Sequence, residues 1–392
     1  MARFGLIAAL LAFTAAGASA QVARDDPGIH EHVLRNASGM TVRFLDYGAI
    51  ITSIEVPDRA GHFDNVVLGY GSAADYRAKN DKNRFGAVVG RYAGRIAGAS
   101  FSIGGKHYRL KPNDGPNALH GGGLPGLDSK IWRVKEFREK GVVGARLTVT
   151  SPDGNQGFPG ALTVTVTYRL FADNSLHIDY TARTTRATVL NLTNHSYFNL
   201  AGGGSVEKQS LRINASRWVE TDQTGIPTGR FPTVAGTPLD FRVLHPIGER
   251  IDAKLPIMAT RGGYNHAWLL ATRNRTAAAP AAVLTDPASG RTLSIATSEP
   301  SLQAYTGDYI DGQDKDAKGR TIRPRDGIAL ETQHLSDSPH RPAFPSTLLK
   351  PGQTWRSSTV WMSSCCCTAT VSTPRNGLLT WSLPWSRDEQ TR

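Results

Sequence analysis

The strongest constraint on the fold is a pair of alternating segments near the middle of the chain. In residues 161–170 (ALTVTVTYRL), apolar side chains occupy every second position, with threonines and an arginine between them. The alternation resumes in residues 175–184 (SLHIDYTART) after a polar Asp173-Asn174 turn. A period of two places one set of side chains on each face of a strand. These segments therefore predict an antiparallel hairpin whose apolar face lies against a core.

The rest of the chain repeats this pattern in shorter runs. Residues 40–48, 49–57 and 65–71 are rich in β-branched and aromatic side chains and are punctuated by Gly and Asp. The sequence has no long amphipathic stretch, heptad or internal repeat, and only residues 247–253 suggest a short helix. Many short strands joined by long loops are typical of packed sheets. We therefore predict an all-β fold, a large antiparallel β-sandwich with few short helices.

The N-terminus predicts export. Residues 1–20 combine Arg3, an apolar run and an Ala18-Ser19-Ala20 cleavage site, as in a secretory signal peptide. The apolar run is too short to span a bilayer, and no later stretch is long enough. We expect cleavage after Ala20 and a mature protein that is periplasmic or secreted. The remaining 392 − 20 = 372 residues are ample for a large core.

Charge and cysteine content narrow the range of functions. The formal net charge is +12, but the basic residues are scattered, and no dense basic run is interleaved with aromatic residues. We therefore predict no nucleic-acid partner and interpret the charge as a surface property. The 3 cysteines are adjacent at 365–367. This placement excludes a disulfide framework in the body of the chain and a Cys metal site of the usual spacing.

Two residues are candidates for acid–base chemistry. His195 lies in residues 191–200 (NLTNHSYFNL), among amides and hydroxyls that are costly to bury without hydrogen-bond partners. It is either a structural histidine beside a turn or a titratable group held in place to move a proton. Glu331 follows an apolar run and is either a charge at a strand end or a buried acid with a shifted pKa.

Long or titratable side chains also lie beside glycines. Arg91 and Arg95 occur in the Gly- and Ala-rich residues 83–110, where close backbone approach would let an arginine reach into a cavity. Without such a cavity, both are surface arginines. His120 precedes two glycines, so it either faces a ligand without steric cover or is a turn residue.

In their order along the chain, these segments resemble the aldose 1-epimerases, also called galactose mutarotases. The motifs that carry the resemblance are GRYAGRI (90–96), FSIGGKHYRL (101–110), NALHGG (117–122), NLTNHSYFNLAG (191–202), IPTG (226–229), LDFR (239–242), GGYNHAW (262–268), SLQAYTG (301–307), LETQ (330–333) and FPSTLLKPG (344–352). Each motif alone is weak, whereas their joint occurrence is specific. The resemblance implies a single galactose mutarotase-like β-supersandwich domain over residues 28–362, with a sugar cleft on one face.

The resemblance also implies a reaction, the exchange of the α- and β-anomers of free aldoses such as glucose or galactose, without metal or organic cofactor. By position, His195 corresponds to the general acid and Glu331 to the general base. Four further side chains fall on positions that bind substrate: Arg95, His120, Asn265 and Gln303. The residue types suit this chemistry, because ring opening needs a base at the C1 hydroxyl and an acid at the ring oxygen. An aromatic ring, Tyr305 or Trp268, is expected to pack on the apolar face of the sugar.

The chain departs from the family pattern at several points. Asn265 replaces the usual aspartate, which accepts bonds from sugar hydroxyls, so we expect a weaker or altered sugar preference. Gly94 and Ala267 each stand where asparagine is common. Residues 363–392 are unlike the usual family ending and suggest a shifted reading frame, so we expect a poorly ordered tail.

Three alternatives remain on the same kind of fold. Export disfavours an epimerase of hexose phosphates, because sugar phosphates are mainly cytoplasmic. The presence of both His195 and Glu331 disfavours a non-catalytic carbohydrate-binding protein. The third alternative is a glycosidase or lyase; a hydrolase normally uses a carboxylate pair, and Glu331 has no evident mate in the sequence. We expect a small aldose as the partner and a monomer or weak dimer.

Overall fold

The computed structural model describes residues 28–254, 256–259, 262–271 and 279–365. The predicted signal peptide, residues 1–20, lies outside the described residues, as does the predicted tail after Cys365. The last strand continues to Cys365, beyond the domain boundary at residue 362 that the sequence suggested. No helix among the described residues is long and apolar enough to cross a membrane.

Short strands joined by loops make up most of the described chain. In chain order they are β1 (Glu31–Arg35), β2 (Thr41–Leu45), β3 (Ile51–Pro57), β4 (Phe63–Asn65), β5 (Val88–Val89), β6 (Arg95–Ile96), β7 (Ser100–Ile103), β8 (Lys106–Arg109), β9 (Ala118–Leu119), β10 (Arg133–Glu139), β11 (Val142–Ser151), β12 (Leu162–Phe171), β13 (Ser175–Thr184), β14 (Thr188–Val189), β15 (Thr193–Asn194), β16 (Tyr197–Phe198), β17 (Ser210–Ile213), β18 (Arg217–Trp218), β19 (His245–Pro246), β20 (Asn265–Leu269), β21 (Ala282–Thr285), β22 (Arg291–Thr297), β23 (Ser301–Tyr305), β24 (Ile328–Gln333), β25 (Leu348–Leu349) and β26 (Trp355–Cys365).

Within the described ranges the α-helices are few and short, as expected. They are α1 (Ala73–Asn83) and α2 (Pro256–Ala259), and the stretch expected to be helical near 247–253 contains a 3-10 turn, Ile247–Glu249. Helix α1 was not predicted, because its sequence is polar and lacks an apolar stripe. Its local signal is the cap, where Ser72 Oγ accepts a hydrogen bond from the backbone N–H of Asp75 at 3.0 Å.

Two large antiparallel sheets enclose one core. The nine-stranded sheet has the order β10-β11-β12-β13-β26-β22-β21-β17-β19, and the five-stranded sheet has the order β16-β24-β23-β20-β18. A four-stranded sheet, β1-β2-β3-β4, adds apolar side chains to the same core, which contains Ile178 of β13, Ile328 of β24 and Trp268 of β20. The predicted all-β antiparallel supersandwich is therefore confirmed.

The alternating hairpin lies inside the nine-stranded sheet. Strands β12 and β13 pair in antiparallel register, with Leu170 opposite Leu176. The predicted inward side chains of β12, from Leu162 to Leu170, are fully buried. Tyr168, whose hydroxyl is polar, donates a hydrogen bond to the Ala49 carbonyl at 2.6 Å. Burial of this row is therefore complete without an unsatisfied phenol.

The five-stranded sheet presents a polar row on the face opposite the core. Gln303 of β23 lies directly beside Glu331 of β24. Gln333 is two residues further along β24 and shares that face, because side chains alternate along a strand. The intervening side chains of neighbouring strands, including Trp268 and Leu302, enter the core. This register sets the spacing of the candidate site.

Candidate active site

Backbone contacts with the segment after α1 hold His195. Its N–H donates to the Ala87 carbonyl at 2.9 Å, and the Gly86 N–H donates to the His195 carbonyl at 3.1 Å. Asn194 Nδ2 also donates to the Gly86 carbonyl, while Asn194 Oδ1 accepts from the N–H and hydroxyl of Ser196. Asn194 and Ser196 therefore fix the backbone around His195, and these bonds do not involve the imidazole.

His195 and Glu331 face each other although 136 residues separate them in sequence (331 − 195). The distance from His195 Nε2 to Glu331 Oε1 is 3.6 Å, and the two side chains are 5% and 4% exposed. Within the described residues, His195 Nδ1 and Glu331 Oε2 are buried without a hydrogen-bond partner. Unpartnered buried polar atoms are costly, so this arrangement favours a polar ligand that would satisfy them.

His120 completes a three-residue cluster. Its ring meets the His195 ring edge to face, with centroids 5.3 Å apart. The Gly94 N–H donates to His120 Nδ1 at 3.2 Å, so Nε2 carries the proton of the neutral ring. One nitrogen of each histidine and one oxygen of Glu331 lie within 4.8 Å of one another. Two imidazoles and a carboxylate are also a donor set that can ligate a metal ion.

Burial dominates the electrostatics of this cluster. Burial, assisted by the positive charge of Arg84, lowers the pKa of His195 to about 3. Burial raises the pKa of Glu331 to about 8, although the charges of Arg95 and Arg84 act in the opposite direction. The pKa of His120 is also lowered, chiefly by burial. Between these two limits His195 and Glu331 together hold one proton, and the titration belongs to the pair.

Of the two arginines in the Gly-rich segment, Arg95 reaches the cleft. Its Nε donates to Asp114 Oδ2 at 2.6 Å, which holds the guanidinium in place. Arg91 is fully buried elsewhere. It donates to the Ser151 hydroxyl and to four backbone carbonyls between residues 151 and 160. The expectation of a cavity-facing arginine therefore holds for Arg95, whereas Arg91 is a structural residue.

Asn265 and Gln303 line the same cleft as Arg95. Gln303 Nε2 donates to Asn265 Oδ1 at 2.7 Å, so each amide orients the other. Tyr305 is half-buried on the same face of β23 as Gln303. Trp268 is fully buried, and its Nε1 donates to the Leu239 carbonyl at 3.0 Å. The expectation that Trp268 packs on a sugar is therefore wrong, because the register turns it into the core.

Arg84 was not predicted as a site residue. This residue follows α1 with a left-handed φ of 52°, is buried, and pairs with Asp128 at 3.2 Å from Nε to Oδ2. Its charge lowers the pKa of His195, His120 and Glu331 alike. An arginine after a polar run resembles any solvated surface residue. Hydrogen bonds from residues 86–87 to His195 and Asn194, together with the pairing of β5 with β15, bring this segment to the site.

Comparison with known proteins agrees with this geometry. The family model described as Aldose 1-epimerase matches residues 30–361, a range that contains every site residue described above. The galactose mutarotase of Sus scrofa is 38% identical over 327 residues, covering 83% of this chain and 91% of that protein. The aldose 1-epimerase of Haemophilus influenzae is 38% identical over 314 residues, covering 79% of this chain and 88% of that protein.

Solved structures show the same architecture. The galactose 1-epimerase from Lactobacillus acidophilus NCFM superposes with a TM-score of 0.77 at 29% identity, covering 88% of this chain and 97% of that one. An aldose epimerase homologue from C. elegans also has a TM-score of 0.77 at 29% identity, covering 86% of this chain and 99% of that one.

Proposed function

Because this chain belongs to the aldose 1-epimerase family, we propose that it interconverts the α- and β-anomers of free aldoses by acid–base catalysed ring opening and closure. The observation that carries the proposal is the buried His195–Glu331 pair, with 3.6 Å between Nε2 and Oε1 and an unpartnered polar atom on each side chain within the described residues. An aldose supplies both a proton to remove and an oxygen to protonate.

In the proposed mechanism, Glu331 is the base and His195 is the acid. The Glu331 carboxylate accepts the proton of the C1 hydroxyl while His195 donates a proton to the ring oxygen, and the bond between C1 and that oxygen breaks. The open aldehyde rotates about the C1–C2 bond. On closure, Glu331 returns its proton to the C1 oxygen, and the former ring oxygen returns its proton to His195. No net proton is consumed. The pair enters and leaves the cycle with one proton. Burial leaves that proton on Glu331 at rest, so it moves to His195 before the ring opens.

The remaining cleft residues suit a neutral sugar. Arg95, His120 and the Asn265–Gln303 amide pair offer both donors and acceptors to hydroxyl groups. Asp114 already neutralises Arg95 through the 2.6 Å contact. A phosphorylated sugar would require cationic groups that are not already paired. This charge balance favours glucose or galactose over a hexose phosphate.

The same three-residue cluster could instead hold a metal ion, since its ligand atoms lie within 4.8 Å of one another. We favour direct proton transfer, because anomer exchange requires a base and an acid on opposite oxygens of the substrate. Both groups must then be free to exchange protons. The two hypotheses differ in their response to chelators, as described in the Discussion.

We also propose that the enzyme acts in the periplasm or after secretion, from the signal-like residues 1–20. There it would meet sugars before they are phosphorylated. N-terminal sequencing of the protein recovered from its native compartment should begin at Gln21. An intact Met1, or recovery only from the cytoplasm, would contradict this location.

Polarimetry on freshly dissolved α-D-glucose and α-D-galactose tests the reaction. We expect the enzyme to accelerate the approach to anomeric equilibrium. His195→Ala and Glu331→Ala should each reduce kcat by about 10²–10⁴-fold, the usual contribution of a general acid or base. A protein that binds these sugars without accelerating their equilibration would be a carbohydrate-binding protein. Release of new reducing ends from glycosides would instead indicate a glycosidase.

A further inference from the structure

The polar face of β24 extends past Glu331, next to a cleft that Arg95, Asn265 and Gln303 line. Gln333 lies two residues after Glu331 on the same face of this strand. Antiparallel strands rise about 3.4 Å per residue, so the two side chains leave the backbone about 7 Å apart. This separation is comparable to the length of a hexose ring with its substituents. Gln333 and Ser336 line the same cleft as Arg95, Asn265 and Gln303.

Gln333 presents an acceptor that the protein does not use. Its side chain is buried, with 3% exposure. Across the part of the chain that the structure describes, its Oε1 is buried and has no hydrogen-bond partner. A buried acceptor in that state costs free energy, and a hydroxyl group of a ligand in the cleft would satisfy it. An amide oxygen accepts only, so the complementary ligand group is a donor.

Ser336 is fixed at the adjoining wall. Its Oγ accepts a hydrogen bond from the Arg95 N–H at 3.1 Å, which leaves the hydroxyl proton to be donated. Gly94 has a φ of +80°, and a Cβ there would lie 2.4 Å from Ser336 Oγ and 3.5 Å from Gln333 Nε2. Glycine at position 94 therefore makes room for the Ser336 hydroxyl in this position.

We propose that Gln333 and Ser336 form a second hydroxyl-binding pair, which holds the end of the aldose distant from C1. Gln333 Oε1 accepts from one sugar hydroxyl, and the Ser336 hydroxyl donates to a neighbouring oxygen. With C1 at Glu331, this contact adds binding free energy at the far end of the ring, equally in the ground state and in the transition state. The inference rests on the proposed function, because it assumes an aldose in the cleft. Both residues position substrate and take no part in proton transfer.

The first test separates substrate binding from folding. In Gln333→Met, KM should rise about three- to tenfold with kcat within about twofold, the effect of one neutral hydrogen bond made equally in ground and transition states. Thermal stability without sugar should stay equal or increase, because the variant removes an unpartnered acceptor. A KM within twofold of wild type, or a loss of thermal stability, would overturn the proposal.

A matched control lies on the same strand. Thr332 is adjacent to Gln333 on the opposite face, and its hydroxyl bonds the Thr359 hydroxyl at 2.5 Å inside the protein. Thr332→Val should lower thermal stability and leave KM unchanged, the reverse of the Gln333→Met result. If Thr332→Val raised KM as much as Gln333→Met, the effect would come from disturbance of β24, and the proposal would fail.

Deoxyaldoses test the contact itself. With wild type, one single-deoxy derivative of the preferred aldose should show a higher KM than the parent sugar. With Gln333→Met, that derivative and the parent should have equal KM values, because the partner of the missing hydroxyl is gone. If every deoxy sugar that has a higher KM than the parent with wild type still has a higher KM with Gln333→Met, the assignment is refuted. Absence of catalysis by wild type would instead defeat the proposed function, so the two failures are distinguishable.

Discussion

We expect anomer exchange to slow as the pH rises through about 8, the value to which burial raises the pKa of Glu331. Below that pH the pair carries one proton, which burial places on Glu331 at rest. The productive arrangement, with His195 charged and Glu331 ionised, is a less populated form of the same one-proton state. Moving the proton within the pair does not depend on pH. The fraction of productive enzyme is therefore constant until the pair loses its last proton.

The expected profile of kcat/KM is a plateau at neutral and mildly acidic pH. Above the pair's upper pKa the rate should fall about tenfold per pH unit, so that at pH 9 about a tenth of the plateau value remains. The measurement is the initial polarimetric rate with α-D-glucose below KM, between pH 5 and 9.5, after subtraction of the buffer- and hydroxide-catalysed rates. A rate that rises continuously to pH 9 would refute this reasoning, because it would require ionised Glu331 beside neutral His195.

Arg84 provides the matched variant for the same assay. Its positive charge lowers the pKa of both His195 and Glu331. Its removal should therefore move the alkaline fall of kcat/KM to higher pH. A buried unit charge several ångströms away is worth about 1–2 kcal/mol at an effective dielectric constant near 20, which corresponds to about one pKa unit. In Arg84→Met the alkaline fall of kcat/KM should move to higher pH by this amount. In Arg84→Lys it should stay at the wild-type pH. If kcat/KM fell at the same alkaline pH in wild type and both variants, Arg84 would not contribute electrostatically to the pair.

Three further predictions follow from the site. Asn265→Asp should lower KM about fivefold, because a charged acceptor binds hydroxyls about 1 kcal/mol more strongly than a neutral one, and it can keep the bond from Gln303; unchanged kinetics with both glucose and galactose would contradict this. The pKa of Glu331 is raised on folding from 4.5, so the folded state holds its proton more tightly and loses stability as the pH rises from there through about 8. The melting temperature of Glu331→Gln minus that of wild type should therefore increase from pH 5 to pH 9. The same difference at both pH values would count against a buried carboxylate. Finally, dialysis against EDTA should leave mutarotation unchanged, while added Zn²⁺ should inhibit in competition with sugar by binding the His120–His195–Glu331 cluster; loss of activity on chelation would favour the metal-dependent alternative.

The all-β architecture could be predicted from the sequence because its signal is local. Alternation within β12 and β13 needs only the chemistry of neighbouring residues, since a strand sends successive side chains to opposite faces. The candidate residues His195, Glu331, Arg95, His120, Asn265 and Gln303 came from the order of motifs along the chain. Helix α1 was missed because its polar sequence has no stripe that would mark a buried face.

The direction in which each side chain faces depends on contacts between distant segments of the chain. Residues Arg91 and Arg95 look equivalent in sequence, yet one is enclosed by backbone carbonyls and the other lies in the cleft. Trp268 points to the core and Gln333 to the cleft because of the register among β20, β23 and β24, which pairs residues far apart in the chain. Hydrogen bonds between distant segments hold the residues after Arg84 against His195, so the charge of Arg84 acts on the catalytic pair. Local residue chemistry therefore specifies the strands and the reactive groups, whereas burial and register, which depend on long-range pairing, specify which of these groups meet.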